Sequence, residues 1–155
     1  SISFLSVYNN HLFVGNFSLN GLGFIKEYDI SIDSNTRVLT LGYVRKFSIP
    51  DKVQGVTFYN VDGLDYIIFS RSFGKNMPSI LQIYKYDENI LDYNDSSLKY
   101  VTIEAPNMIE QTTVINDSLY SIYESCALPY KNNNIDLMAN LSITDLDTAV
   151  KNLKR

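Results

Sequence analysis

The chain has 155 residues, 45% hydrophobic and 19% charged, with a net charge of −4 at pH 7, a composition that excludes a disordered polymer. Its scattered Lys and Arg lack the clustered basic face a duplex requires, so nucleic acid is not expected as a partner. Cys126 stands alone, which excludes an intrachain disulfide and a thiolate zinc site, and no apolar run approaches the roughly 20 residues of a membrane helix, so no membrane span is expected.

Twelve Tyr and eight Phe with no Trp favour strands. In chain order, the first strands fall at residues 3–8 and 11–18 around the turn Asn9-Asn10, followed by 23–31 and 43–49, and Pro50 closes the set. A second set repeats the order: 54–59 (Gln54-Gly55-Val56-Thr57-Phe58), the turn Asn60-Val61-Asp62-Gly63, then 65–72, 79–86 and 99–104, ending at Pro106. A third begins at 110–115 (Glu110-Gln111-Thr112-Thr113-Val114), turns at Asn116-Asp117-Ser118, and continues at 118–125 and 136–143. The stretches 31–41, 87–98 and 130–135 are rich in Asn, Asp and Ser and read as solvated connections. After Ile143, Thr144 with Asp147 three residues on resembles a helix N-terminus, and Leu146, Val150 and Leu153 share one helical face.

A repeat of about 55 residues, with four short strands joined by Asn/Asp/Gly turns, suits a β-propeller blade with generous loops. The expected fold class is all-β: three four-stranded antiparallel blades, about 1–50, 51–106 and 107–155, forming half of a six-bladed propeller. A single β-sandwich of the same strands is the competing architecture. The third repeat lacks a fourth strand, and three blades cannot close a ring. The chain also opens at Ser1 directly into an apolar strand, as in a fragment or a processed precursor. The expected partners are therefore the remaining blades, supplied by the same precursor, by a cleaved partner chain or by a second copy.

First strands of blades line a propeller's channel, so their polar leading residues are site candidates. These are Ser3, Gln54 and Glu110. A second set falls at the ends of second strands: Asn16, Arg71 and Glu124. The repeat alignment places Arg71 opposite Glu124 in successive blades, which predicts either an interblade ion pair or recognition of an anionic or carbonyl-bearing ligand by Arg71. Glu110 and Glu124, with Asn16 and Gln54, are oxygen donors of the kind calcium takes. His11, the sole histidine, has no evident serine partner and reads as a surface residue.

Gln54-Gly55-Val56-Thr57-Phe58, Ser70-Arg71-Ser72-Phe73-Gly74 and Ser79-Ile80-Leu81-Gln82-Ile83-Tyr84 give the chain a resemblance to bacterial six-bladed propellers of the strictosidine-synthase-like and gluconolactonase-like class. That resemblance implies a channel site for a divalent metal, commonly calcium, and a secreted or cell-surface location. No complete ligand set of that class stands in this sequence. The leading functional reading is a non-catalytic ligand-binding or protein-interaction module. The alternative is a metal-assisted hydrolase such as a lactonase, with Glu110 or Glu124 as ligand or base.

Overall fold

Asn9 and Asn10 both adopt left-handed backbone, with φ of 47° and 62°, which is what a two-residue turn requires to follow the twist of its flanking strands. They join β1 (Phe4–Tyr8) to β2 (His11–Gly15), and the sheet continues through β3 (Phe24–Ile32) to β4 (Leu39–Ser48) in sequential order. The computed structural model describes residues 2–21, 23–127, 129–130, 138 and 140–154, and the chain is all-β with one short helix among them. β3 and β4 run on past the sheet as an exposed two-stranded ribbon, pairing Ile32 with Leu39. The expected loop 31–41 is therefore only the turn at its tip.

The second sheet is β5 (Val53–Val61), β6 (Leu64–Arg71), β7 (Ser79–Lys85) and β8 (Tyr100–Ala105), again antiparallel and in sequence order. The third contains β9 (Ile109–Ile115), β10 (Ser118–Tyr123) and β11 (Ser142–Asp145), three strands among the described residues. Residues 136, 137 and 139 of the expected strand 136–143 lie outside the described residues, and the pairing strand begins at Ser142. The helix of the tail is present as α1 (Leu146–Val150), but Asp145 caps it, not Thr144. The Asp145 carboxylate accepts from the Thr148 amide at 3.2 Å, satisfying an N–H that the helix leaves open. Leu146, Val150 and Leu153 are buried against the second sheet.

The three sheets are stacked, and β5, β6 and β7 of the middle one are buried on both faces. Along β6, Ile67 and Phe69 enter one core with Phe4, Phe13, Ile25 and Phe47 of the first sheet. Their neighbours Tyr66 and Ile68 enter the other with Ile109, Leu119 and the tail. Such a strand reads as a continuous apolar run because successive side chains point to opposite faces. β1 lies against β5 and β5 against β9, so the leading strands of the three sheets are adjacent. Gly55 permits the second approach: a Cβ there would lie 3.0 Å from the Ser70 hydroxyl and 3.1 Å from the Glu110 carbonyl oxygen.

The same clamp recurs at each junction. Tyr8, ending β1, donates to Asp65 of the second sheet at 2.5 Å, and Tyr59, near the end of β5, donates to Asp117 in the turn of the third at 2.9 Å. Burial and then the carboxylate partner push both phenols up to about 12. The segment 87–98 is less solvated than its composition suggests. Tyr93 is buried in the first core, the Ser48 peptide group bonds to Leu91 and Tyr93, and Asn94 reaches the Ile49 carbonyl.

Tyr8→Phe and Tyr59→Phe should each cost about 1 kcal/mol in urea unfolding at pH 7, the net worth of one such hydrogen bond. Because the folded-state phenol titrates above the unfolded one, this contribution is complete below pH 10 and lost as pH rises to about 12. A wild-type protein no more stable than either variant at pH 7 would show that the clamps contribute nothing.

Candidate functional site

Two loops with one geometry frame the site. Lys52, two residues after Pro50, and Met108, two after Pro106, both take left-handed backbone, with φ of 59° and 65°. The Lys52 carbonyl accepts from Ser72 N–H and the Met108 carbonyl from Glu124 N–H, each at 2.9 Å. This repeated bond fixes the alignment of the two sheets. Glu124 corresponds to Ser72, and Arg71, which pairs with Val53, corresponds to Tyr123, which pairs with Ile109.

The alignment of Arg71 with Glu124 made from sequence is therefore one residue out of register, and in a strand one residue reverses the face. Arg71 turns away from the third sheet. Its guanidinium donates to the Asp51 carboxylate and carbonyl and, at 2.8 Å, to Gln82, whose amide in turn donates to the Tyr84 hydroxyl. The expected Arg71–Glu124 ion pair is not formed, and Arg71 is paired with Asp51 instead. Asn16 is also structural: its Oδ1 accepts from Phe24 N–H at 2.8 Å. Ser3 receives the N–H of Phe17 at 3.0 Å.

Gln54, Glu110 and Glu124 do converge. They line a cleft of about 320 Å³ with Phe17, Ser72, Phe73, Gly74, Lys75, Met108 and Tyr130. Each sheet contributes at one end of the stack: Phe17 follows β2, Ser72 to Lys75 follow β6, and Glu124 follows β10 in a 3-10 turn, Glu124–Cys126. Gln54 is anchored by its amide N–H on the Ser72 carbonyl at 3.3 Å. The carboxyls of Glu110 and Glu124 are within hydrogen-bonding reach of each other. Burial, and then the charge of Glu124, push Glu110 up to about 7. At mildly acid pH the Glu110 carboxyl therefore keeps its proton, because two carboxylates side by side ionise at a cost. Among the described residues no group of three His, Cys, Asp or Glu is placed to hold a metal ion, so the pair gains no further ligand of those types.

Compared with protein-family models, with curated proteins and with solved structures, the chain matches none. The cleft has to be interpreted from its own residues.

The polar centre that sequence reading missed is elsewhere. Glu27, buried on β3, accepts from Arg45 at 2.6 Å and meets His11 Nδ1 at 2.6 Å. His11 Nε2 also lies 3.2 Å from Asp29, so the histidine is held between two carboxylates and is not a free surface residue. Arg45 extends the network to the Tyr86 hydroxyl and to the carbonyls of Glu88 and Ile90, and its guanidinium lies over Phe47 and Tyr86. Its work is to fasten segment 86–90 to the first sheet. The signal was available in the order of the chain: strand alternation puts His11, Glu27 and Arg45 at the polar end of an otherwise apolar face.

A folded-state carboxyl raised above its unfolded value destabilises the protein progressively as pH rises from about 4.5 to about 7. Glu110→Gln removes that loss. It should gain about 1–2 kcal/mol over wild type at pH 8, allowing for the partial exposure of the site, and nothing at pH 4. Urea midpoints at the two pH values measure this. A gain independent of pH would show that the two carboxyls are uncoupled.

Proposed function

We propose that this chain is a non-catalytic ligand-binding module, an arc of three blades from a six-bladed β-propeller that offers its mouth cleft to a ligand. The observation that carries the reading is the convergence of all three sheets, at one end of the stack, on one polar cleft. The order of strands within each sheet, the adjacency of β1, β5 and β9, and the recurring tyrosine clamps support the propeller arc. These are the relations expected of blades whose leading strands surround an axis.

The outer faces support it as well. Leu5, Val7 and Tyr43 are exposed on the first sheet, and Ile115, Ile122 and Ile143 on the third. Repeat folds bury such faces only against a neighbouring repeat. In this reading further blades cover them, from the same precursor, a cleaved partner chain or a second copy.

A hydrolytic role has less support. His11 begins β2, at the end of the sheet opposite the cleft, and is committed to Glu27 and Asp29. Among the described residues the cleft's serine, Ser72, makes no side-chain hydrogen bond to a base. Two carboxyls alone supply few of the six to eight oxygens that calcium takes.

NMR titration of the chain with a fragment library tests the module. Shifts confined to Gln54, Ser72, Glu110 and Glu124, with every compound recovered unchanged, are expected. Turnover of a lactone or ester that Glu110→Gln abolishes would replace the module with the hydrolase. Light scattering tests the arc: the chain should associate to a mass above 17.7 kDa. A monodisperse monomer with a single cooperative unfolding transition would overturn it.

A further inference from the structure

Ser72 is buried, only 5% exposed, and lines the mouth cleft. Its N–H bonds to the Lys52 carbonyl and its own carbonyl accepts from Gln54, but its hydroxyl has no partner among the described residues. Two residues earlier, in β6, the Ser70 hydroxyl reaches across to the Glu110 carbonyl at 3.3 Å. Ser72 follows one residue past the end of β6 and lines the cleft together with Glu110 and Glu124. The Ser72 hydroxyl is therefore open to a donor that enters the cleft.

We propose that the mouth cleft takes its ligand through an alkylammonium group, held by the carboxylates of Glu110 and Glu124 and the hydroxyl of Ser72. This rests on the ligand-binding reading given above and names the chemistry of the ligand. An ammonium has three N–H donors and no acceptor, and the cleft offers these three acceptors at its polar side. The Gln54 carbonyl oxygen, on an amide anchored by its nitrogen, lies in the same lining. Charge agrees. Both carboxylates ionised give −2, and Lys75, which lines the cleft without an ion pair among the described residues, restores +1. The remaining −1 matches a monocation, and a divalent ion would overshoot it. The other walls are Phe17, Phe73, Met108 and Tyr130. These apolar and aromatic surfaces suit the hydrocarbon stem of an amine and the face of a cation, and they are poor companions for a hydrated metal. Binding expels the proton that Glu110 holds, so affinity should rise with pH up to about 7.

The same group could arrive on a free amine or on a lysine side chain. The test is NMR titration of the full chain, at pH 6 and pH 8, with n-butylammonium, N-acetyl-lysinamide, calcium chloride and n-butanol. Butylammonium should shift the amides of Ser72, Glu110 and Glu124, bind at least tenfold more tightly at pH 8, and lose at least tenfold in affinity in Glu110→Gln and Glu124→Gln. Tighter binding of N-acetyl-lysinamide than of butylammonium would assign the source to a protein side chain, and equal or weaker binding to a free amine; either supports the proposal. Saturation of the same amides by calcium and not by butylammonium would overturn it. So would equal binding of butanol, or shifts from uncharged fragments alone, both of which leave the ligand-binding module standing. If nothing perturbs the cleft, both fall. Unchanged thermal unfolding of the two variants at pH 4 confirms that they fold.

Discussion

Everything in this chain depends on a middle sheet whose strands β5, β6 and β7 are buried on both faces. Tyr66, Ile67, Ile68 and Phe69 are each fully buried, so β6 needs a sheet on either side, and the first and third sheets are there to supply it. Burying one such side chain is worth about 1.5–3 kcal/mol, and the two cores share the gain between a pair of interfaces built alike. Because apolar contact is not directional, it does not by itself fix how one sheet is rotated on the next. The directional part comes from the tyrosine clamps at one end of the stack and the Thr57–Thr112 hydroxyl contact, 2.6 Å, between β5 and β9.

The site follows from that stacking. Sheets held face to face with their leading strands adjacent must bring the starts of β5 and β9 together, and with them Gln54 and Glu110. The left-handed residues Lys52 and Met108 turn the chain into those strands and place their carbonyls to receive Ser72 and Glu124. Glu124 therefore stands against Glu110 because the backbone repeats, not because the two carboxyls attract. The electrostatics oppose the arrangement, which is why the fold keeps a proton there.

Strand order, turn positions and the repeat were legible because each rests on local chemistry. Asn9-Asn10 and Asp62-Gly63 declare their hairpins, and Pro50 and Pro106 mark equivalent entries. Register was not legible to the last residue. The second and third sheets each have an irregularity where their first two strands pair, between Val53 and Gly55 and between Ser121 and Tyr123, and a bulge moves side chains to the other face without altering composition. That is how Arg71 came to be matched with Glu124. The ionic centre at Glu27 was hidden for another reason: its partners His11 and Arg45 are neighbours only across the sheet, and its role depends on segment 86–90, which composition presents as open loop.

The two polar centres show what separates a structural charge cluster from a candidate site. Glu27 is surrounded by donors: Arg45, His11 and Tyr86 leave its oxygens saturated, and an ion pair of this kind holds its geometry because removing either member strands the other. Glu110 and Glu124 have the opposite character. They face one another, the Ser72 hydroxyl in the same lining has no partner among the described residues, and Lys75, the cation of that lining, forms no ion pair with them. A fold that satisfies one buried carboxylate so completely while leaving another pair so poorly served distinguishes the two by what each still lacks. For Glu110 and Glu124, the proposed alkylammonium would supply the donors that the described residues do not.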